Sequence, residues 1–367
     1  MKILIKKKIM PFTLVMLLWG FGQLVYAQKS KMEEAMNKAE ASGFSGVVWV
    51  AHQGKPIFTK AVGFRSFENQ IPLQTSDVFE MASISKQFTA MLVMMCIEKG
   101  LLGVDDLAET YLDIPYTGIS VKNLLTHTSG LPDYQAVMDK HWDKSKIAGN
   151  PDILEYLRRY NPPMEFQPGE KYEYSNTGYV LLASIVEKVT GRDFVELSRE
   201  WIFKPLGMSD TDIRTLDEKA KIPNFAAGHQ MDESGQFVNA NKFHSSDYTV
   251  WLGNRKGPGR VSSTAADLMK WDRALYTTGL VSTDMLDLAY SSFVLNDGSL
   301  SNYGFGWDLS EDPKMGKVVS HTGSNPGYSN LIVRYIDKDF TFIMLNNNEH
   351  ESRTDLEKSI REAIANW

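Results

Sequence analysis

The chain has 367 residues, 43% of them hydrophobic and 23% charged, with a formal net charge of −6. This is an ordinary globular composition, long enough for one large core or two intimate halves. The basic residues form no run beyond the first few positions, which argues against nucleic acid as a partner.

Residues 1–27 have the makings of a signal peptide. Lys2, Lys6, Lys7 and Lys8 form a positive start, Ile9 to Trp19 is almost wholly apolar, and Val25-Tyr26-Ala27 places small residues at cleavage offsets. The apolar run is short for a membrane span. An exported protein, periplasmic or secreted, is therefore expected, cut after Ala27 and without a membrane span once cut. Loss of the four lysines would leave a net charge of −10. The single cysteine, Cys96, lies in the apolar run Met91–Cys96 and reads as an inert core thiol.

In chain order, an amphipathic helix is expected over residues 29–42, followed by strands over 45–52 and 56–62 joined by a turn at Gln53-Gly54-Lys55. Residues 84–99 form a strongly apolar helix. Ser120 can cap a short helix through Leu125, and Gly191 stops another that starts at Asn176. Asp193 can cap the next, and Ser263 one over 264–276. Residues 133–165 are expected as a helical excursion or lid, and 226–239 as a hairpin turning at Glu233-Ser234-Gly235. Strands return at 303–309, 317–322, 331–336 and 341–345, before a final helix over 355–367. The fold class is thus α/β of the α+β type. Residues 28–80 and 301–367 supply one antiparallel sheet flanked by the terminal helices. Residues 81–300 form a mainly helical half beside it, with a ligand cleft expected between the two.

Three segments carry chemistry. In Met81-Ala82-Ser83-Ile84-Ser85-Lys86, Ser83 stands where loop becomes helix and Lys86 follows one turn later on the same face. A hydroxyl needs a base to become a nucleophile, and an amine one turn away can serve. Alone, S-x-x-K arises by chance about once or twice in a chain this long. However, Lys86 is the only charge between Glu80 and Glu98, and a charge in so apolar a helix calls for a partner or a function. The second segment, Tyr174-Ser175-Asn176, sits between the Pro168-Gly169 turn and an apolar helix. A tyrosine acting as a base needs a cation nearby, which Lys86 could supply, and Asn176 could fix Lys86 and a substrate amide. A second Y-x-N, Tyr328-Ser329-Asn330, is set aside because it lies on the hairpin after the third segment. That third segment, His321-Thr322-Gly323-Ser324, closes a strand. Gly323 would let substrate backbone lie against the edge, and the N–H groups of Ser83 and Ser324 could hold an oxyanion.

In this order the three segments resemble the class C β-lactamase family and its relatives, the penicillin-binding D-alanyl-D-alanine carboxypeptidases and esterases. The chain also resembles that family at Leu124-Leu125-Thr126-His127-Thr128-Ser129-Gly130-Leu131-Pro132, at Pro205-Leu206-Gly207-Met208 and at Tyr303-Gly304-Phe305-Gly306-Trp307. The resemblance implies a β-lactamase/transpeptidase-like fold. It implies Ser83 as acylated nucleophile, Lys86 and Tyr174 as acid and base, Asn176 as the positioner of Lys86 and substrate, and His321, Thr322 and Gly323 as the binding strand, with Ser324 beside them as a substrate-binding residue. His127 reads as structural. No metal and no organic cofactor is implied, and the partner is a small-molecule or peptide substrate.

Two departures stand out. His321 replaces the lysine usual in β-lactamases of this class, and Arg260 in Gly257-Pro258-Gly259-Arg260 stands where relatives often have glycine. Arg260 is expected to be solvated or bonded to backbone. The function expected is a D-amino-acid peptidase, carboxypeptidase or esterase acting through an acyl-enzyme. A true β-lactamase and a non-catalytic sensor or scaffold stay open.

Overall fold

The computed structural model describes the backbone from Phe12 onward except Thr278, and side chains from Tyr26. The expected lysine-rich start therefore lies outside the described residues. The helix expected over 29–42 belongs to a longer one, α1 (Phe12–Ala41), which runs through the expected cleavage point. Among the described residues, no helix is long and apolar enough to cross a membrane.

The sheet is six-stranded and antiparallel throughout. Its strands are β1 (Gly46–His52), β2 (Lys55–Val62), β3 (Asp308–Asp312), β4 (Gly316–Asn325), β5 (Tyr328–Tyr335) and β6 (Phe340–Asn346), in spatial order β3-β4-β5-β6-β1-β2. The two ends of the chain meet where β1 pairs with β6, from Gly46 opposite Asn346 to His52 opposite Phe340. Side chains alternate between the two faces, as the pleat requires. Val48, Val50, Val333, Phe342 and Met344 face one core, which is closed by Met32, Met36 and Ala39 of α1 and by Leu356 and Ile360 of the last helix, Ser352–Ala365. Val47, Ala51, Ile332, Ile343 and Leu345 face the other, larger core, shared with the helical half. Both faces are covered, so β5 and β6 read as near-continuous apolar runs.

At the centre of the helical half is α2 (Lys86–Glu98), buried nearly all round and packed against α3 (Asn176–Thr190). Most expected caps are present. Ser120 forms a capping box with Asn123, Asp193 accepts from Val195 and Glu196 N–H, and Gly191 ends α3 at φ 65°. Residues 133–165 hold two helices, Tyr134–His141 and Asn150–Tyr160. His229–Met231 and Phe237–Asn239 form the small hairpin.

Two expectations need correction. Ser263 is not a cap: it ends the strand Val261–Ser263, and Thr264 caps the helix Ala265–Ala274 by accepting from Asp267 N–H. Residues 303–309 are not one strand: Asp308–Asp312 pairs with β4, and Tyr303 makes only an isolated bridge to Asp308. The preceding stretch is pressed into a loop against two backbones, where a Cβ at Gly304 would lie 2.0 Å from Ala289 O and one at Gly306 would lie 3.0 Å from Lys86 O.

A buried ion pair ties the sheet to the helical half. Arg334 of β5 donates through Nε to Asp272 of the helix Ala265–Ala274 at 2.6 Å, and both side chains are fully buried. Asp272 also holds Arg273, which is partly exposed. Asp272→Ala would leave the Arg334 guanidinium uncompensated, so a loss of roughly 3–5 kcal/mol is expected. Arg334→Ala should cost less, because Arg273 still pairs with Asp272. Urea unfolding of both variants checks the order; equal losses would count against this account.

Candidate active site

Ser83 lies in a single 3₁₀ turn, Ala82–Ser85, that leads directly into α2. The residue before it, Ala82, has φ +48°. A left-handed alanine costs roughly 1–3 kcal/mol and persists only when its surroundings fix it. They do so from two sides: Met81 N–H donates to Val261 O at 2.8 Å, and Ser85 Oγ accepts from Val261 N–H at 3.1 Å.

Lys86 is fully buried. Its Nζ lies 2.8 Å from Asn176 Oδ1, 3.0 Å from Pro258 O and 3.2 Å from Ser83 Oγ. Each contact has a structural cause. Asn176 is the first residue of α3, and Ser175 takes the capping role by accepting from Gly178 N–H at 3.3 Å, which leaves the Asn176 amide free for Lys86. The Pro258 carbonyl comes close because Gly257, at φ +105°, lets the loop touch α3; a Cβ there would lie 2.1 Å from Tyr179 O. Thr89 Oγ1 then pins that loop by donating to Gly257 O at 2.7 Å. Burial, and secondarily the Arg255 charge, hold the Lys86 amine well below its ordinary pKa. Its two carbonyl-type neighbours can only accept. A neutral amine gives them two N–H groups and turns its lone pair to the Ser83 hydroxyl.

The Tyr174 ring lies over Lys86, with Nζ 4.6 Å from the ring centroid. Burial pushes its phenol up, and a hydrogen bond with the Ser83 side chain opposes this only in part. The expectation that Lys86 would supply a cation to lower Tyr174 is therefore corrected. Burial disfavours the charged form of both groups, the ammonium of Lys86 and the phenolate of Tyr174. Tyr174 keeps its place through His127, whose backbone is also left-handed at φ +57°. His127 O accepts from Glu173 N–H at 2.9 Å and its Nδ1 accepts from Ser175 N–H at 3.0 Å, gripping the chain on both sides of Tyr174. The two rings pack 4.3 Å apart. Sequence reasoning placed His127 among structural residues but missed this grip; the signal was its landmark segment.

The strand segment divides by the pleat. Thr322 and Ser324 are exposed, whereas His321 and Gly323 are buried. His321 does not reach the cleft surface. Its Nδ1–H donates to Thr322 O at 2.5 Å, and its Nε2 accepts from the Tyr303 hydroxyl at 2.8 Å. Burial pushes its pKa down to about 3, so the ring is neutral. Gly323 has a different reason from the one expected. A Cβ there would lie 2.2 Å from Met81 O, so glycine lets β4 touch the backbone of the Ser83 turn. Beyond Ser320, β4 has no β3 residue opposite it, which leaves residues 321–325 with a free edge.

The set-aside Tyr328-Ser329-Asn330 is sheet structure: Asn330 is buried and donates to Glu80 O at 2.7 Å. Arg260 bonds backbone as expected, Nη1 to Thr249 O at 3.0 Å, but it is only 4% exposed rather than solvated. Cys96 is fully buried and its thiol is pushed up to about 11 by burial. Among the described residues, no cluster of His, Cys, Asp or Glu side chains is arranged to hold a metal ion.

The Beta-lactamase family profile matches residues 30–365. "Penicillin-binding protein 4*" of Bacillus subtilis (strain 168) is 39% identical over 328 residues, covering 88% of this chain and 72% of that protein. "D-aminopeptidase" of Brucella anthropi is 26% identical, covering 78% of this chain and 52% of that protein. Among solved structures, a penicillin binding protein from Bacillus halodurans superposes with a TM-score of 0.77 at 25% identity, covering 89% of this chain and 98% of that one.

The His321 geometry makes a pH prediction. An unfolded histidine titrates near 6.5 and the folded one near 3, so the unfolded chain takes up the proton first. The stability His321 contributes is complete above pH about 6.5 and is lost as pH falls toward 3. Side-chain nitrogen NMR should show the Nδ1–H tautomer still neutral at pH 5. A ring that titrates near 6.5 in the folded protein would contradict the buried arrangement.

Proposed function

Because this chain belongs to the Beta-lactamase family, and is a serine hydrolase of that fold, we propose that it works through an acyl-enzyme on Ser83. The substrates proposed are D-amino-acid amides and peptides, or small esters. The observation that carries this is the buried Lys86 amine, fixed by Asn176 and Pro258 with its third contact at Ser83 Oγ.

In the first half-reaction, the neutral Lys86 amine takes the Ser83 proton as Oγ attacks the substrate carbonyl. The oxyanion develops between the backbone N–H groups of Ser83 and Ser324. Tyr174, protonated and over Lys86, hands its proton to the leaving group and recovers one from Lys86. In the second half-reaction, water replaces the leaving group and the proton transfers run in reverse. Thr322 and Ser324, exposed on the free edge of β4, pair with the extended part of the substrate.

The neutral, buried His321 favours amides and esters over β-lactams, because that strand position then offers no charge to a β-lactam carboxylate. The D-aminopeptidase relative supports the D-amino-acid reading. An exported location rests on the lysine-rich start and the apolar run after it.

A labelled penicillin or reactive ester should add mass at Ser83 in the intact protein and none in Ser83→Ala. Label that persists in Ser83→Ala would overturn the assignment. Lys86→Met and Tyr174→Phe should each lower kcat/KM by about 10²–10⁴-fold. With the amine as base, the rate should rise with pH as Lys86 deprotonates, at a value well below that of free lysine. Turnover of a chromogenic cephalosporin faster than of D-amino-acid amides would instead favour a β-lactamase, and acylation without release a sensor.

A further inference from the structure

One face of β4 meets three partners in order along the strand. The pleat turns His321, Gly323 and Asn325 to that side, at alternate positions. The His321 ring lies 6.2 Å from the Tyr174 ring. At Gly323 the strand touches the serine turn, where a Cβ would collide with Met81 O and lie 3.3 Å from Ile84 N. Asn325 ends the series: its Oδ1 accepts from the Tyr248 hydroxyl at 3.5 Å. Tyr174 and Tyr248 therefore stand at opposite ends of one strand segment, with the Ser83 turn between them.

This order gives the cleft a direction. Tyr174 is the proton donor proposed for the leaving group, so the leaving group lies on the His321 side of Ser83. The acyl part then lies on the other side, along Ser324 and Asn325. Successive residues on one face of a strand are about 7 Å apart. That is the span from the serine turn at Gly323 to the Tyr248 contact at Asn325. Two residues of extended acyl chain would need all of it, and the Tyr248 side chain occupies its far end. One residue fits.

Tyr248 is held in place from behind. It opens the short helix Tyr248–Trp251, and both it and the buried Trp251 pack on the larger core. Trp251 O accepts from Ala148 N–H at 2.6 Å, and Thr249 O accepts from Arg260 Nη1 at 3.0 Å. Arg260 follows the loop whose Pro258 carbonyl holds Lys86, and a Cβ on Gly259 would lie 3.9 Å from Ala82 O. The helix that carries Tyr248 and the turn that carries Ser83 are thus tied to the same loop.

We propose that Tyr248 is the end wall of the acyl side of the cleft, a specificity-determining residue that admits one residue, or an equally short acyl group, before the scissile bond. The chain then acts on the first residue of a D-peptide or on a D-amino-acid amide, and not between residues further along. This inference rests on the hydrolase reading above.

Two ratios of kcat/KM test it. D-alanine p-nitroanilide is compared with N-acetyl-D-alanine p-nitroanilide, and p-nitrophenyl acetate with p-nitrophenyl hexanoate. The second pair is neutral, so it reads length without charge. In the wild type the shorter member of each pair should lead by about tenfold or more, the scale on which a filled pocket rejects added methylenes. Tyr248→Ala should lower both ratios by about tenfold. Tyr248→Phe keeps the ring and should leave them as they are. Each ratio is internal to its variant, so a general loss of activity cancels. If Tyr248→Ala does not fold, Tyr248→Leu replaces it, with a shift in the same direction. Ratios near one in the wild type, or ratios unmoved in the folded variant, overturn the wall. A wild-type preference confined to the anilides overturns it too, because the free amine and not length is then being read. If Ser83 is acylated without release, the rates of mass gain with the two esters supply the same ratio. Turnover or labelling with unmoved ratios defeats the wall alone. Neither turnover nor label on Ser83 defeats the hydrolase reading, and the wall with it.

Discussion

A single amine, taken out of water, sets the terms for the rest of the molecule. Placing an ammonium at the Lys86 position would cost several kcal/mol even after relaxation, and no carboxylate is among the groups it touches. The protein answers with a lowered amine pKa and with a backbone carbonyl and a side-chain amide as acceptors for its N–H groups. Those two acceptors come from segments 82 residues apart, Asn176 at the head of α3 and Pro258 in the loop before Val261. Lys86 therefore stays in place only if the packing of α2 on α3, the glycine at 257 and the cap at Ser175 are all intact. Its basicity is a property of the whole helical half.

The second constraint is backbone strain placed close to the chemistry. Ala82, His127 and Arg260 are all left-handed without being glycine, and each lies next to a residue or loop that contacts the centre. His127 shows how such strain is held. Its ring and its carbonyl hold the residues flanking Tyr174, and its ring packs on Tyr174, Tyr179 and Tyr303. The Tyr174 and Tyr179 rings lie over Lys86 and share in the burial that keeps its pKa low. On the far side, the Arg334–Asp272 pair fixes the sheet against the same helical half. The free edge of β4 therefore faces the serine turn at a fixed spacing.

Much of this was legible before any coordinates. Runs rich in strand formers at 45–62 and 331–345 marked a sheet drawn from both ends, and capping at Ser120, Asp193 and Gly191 followed local rules that tertiary packing had no cause to override. The S-x-x-K spacing placed Ser83 and Lys86 together because helical geometry does so. What escaped was set by long-range contact. The Pro258 carbonyl carries no side-chain signature. The division of labour between Lys86 and Tyr174 depends on burial, which spacing does not encode. The depth of His321 follows from which face of β4 is turned inward, and glycine at 323 from an approach by Met81 that lies 242 positions away in the chain. The stretch 303–307 resembled a strand by composition, but its two glycines serve close backbone approaches instead.

The meeting of Gly323 with Met81 has an evolutionary consequence. At that point the strand and the nucleophile's turn are separated by main chain alone, with no side chain between them whose exchange could widen or narrow the gap. Drift in the chain can recolour the rim of the crevice, through the 133–165 helices, the 253–260 loop or the outward faces of Thr322 and Ser324. It cannot adjust the floor by small steps. New substrate preferences in descendants of this molecule should therefore be written in its walls, around a centre whose spacing is inherited whole.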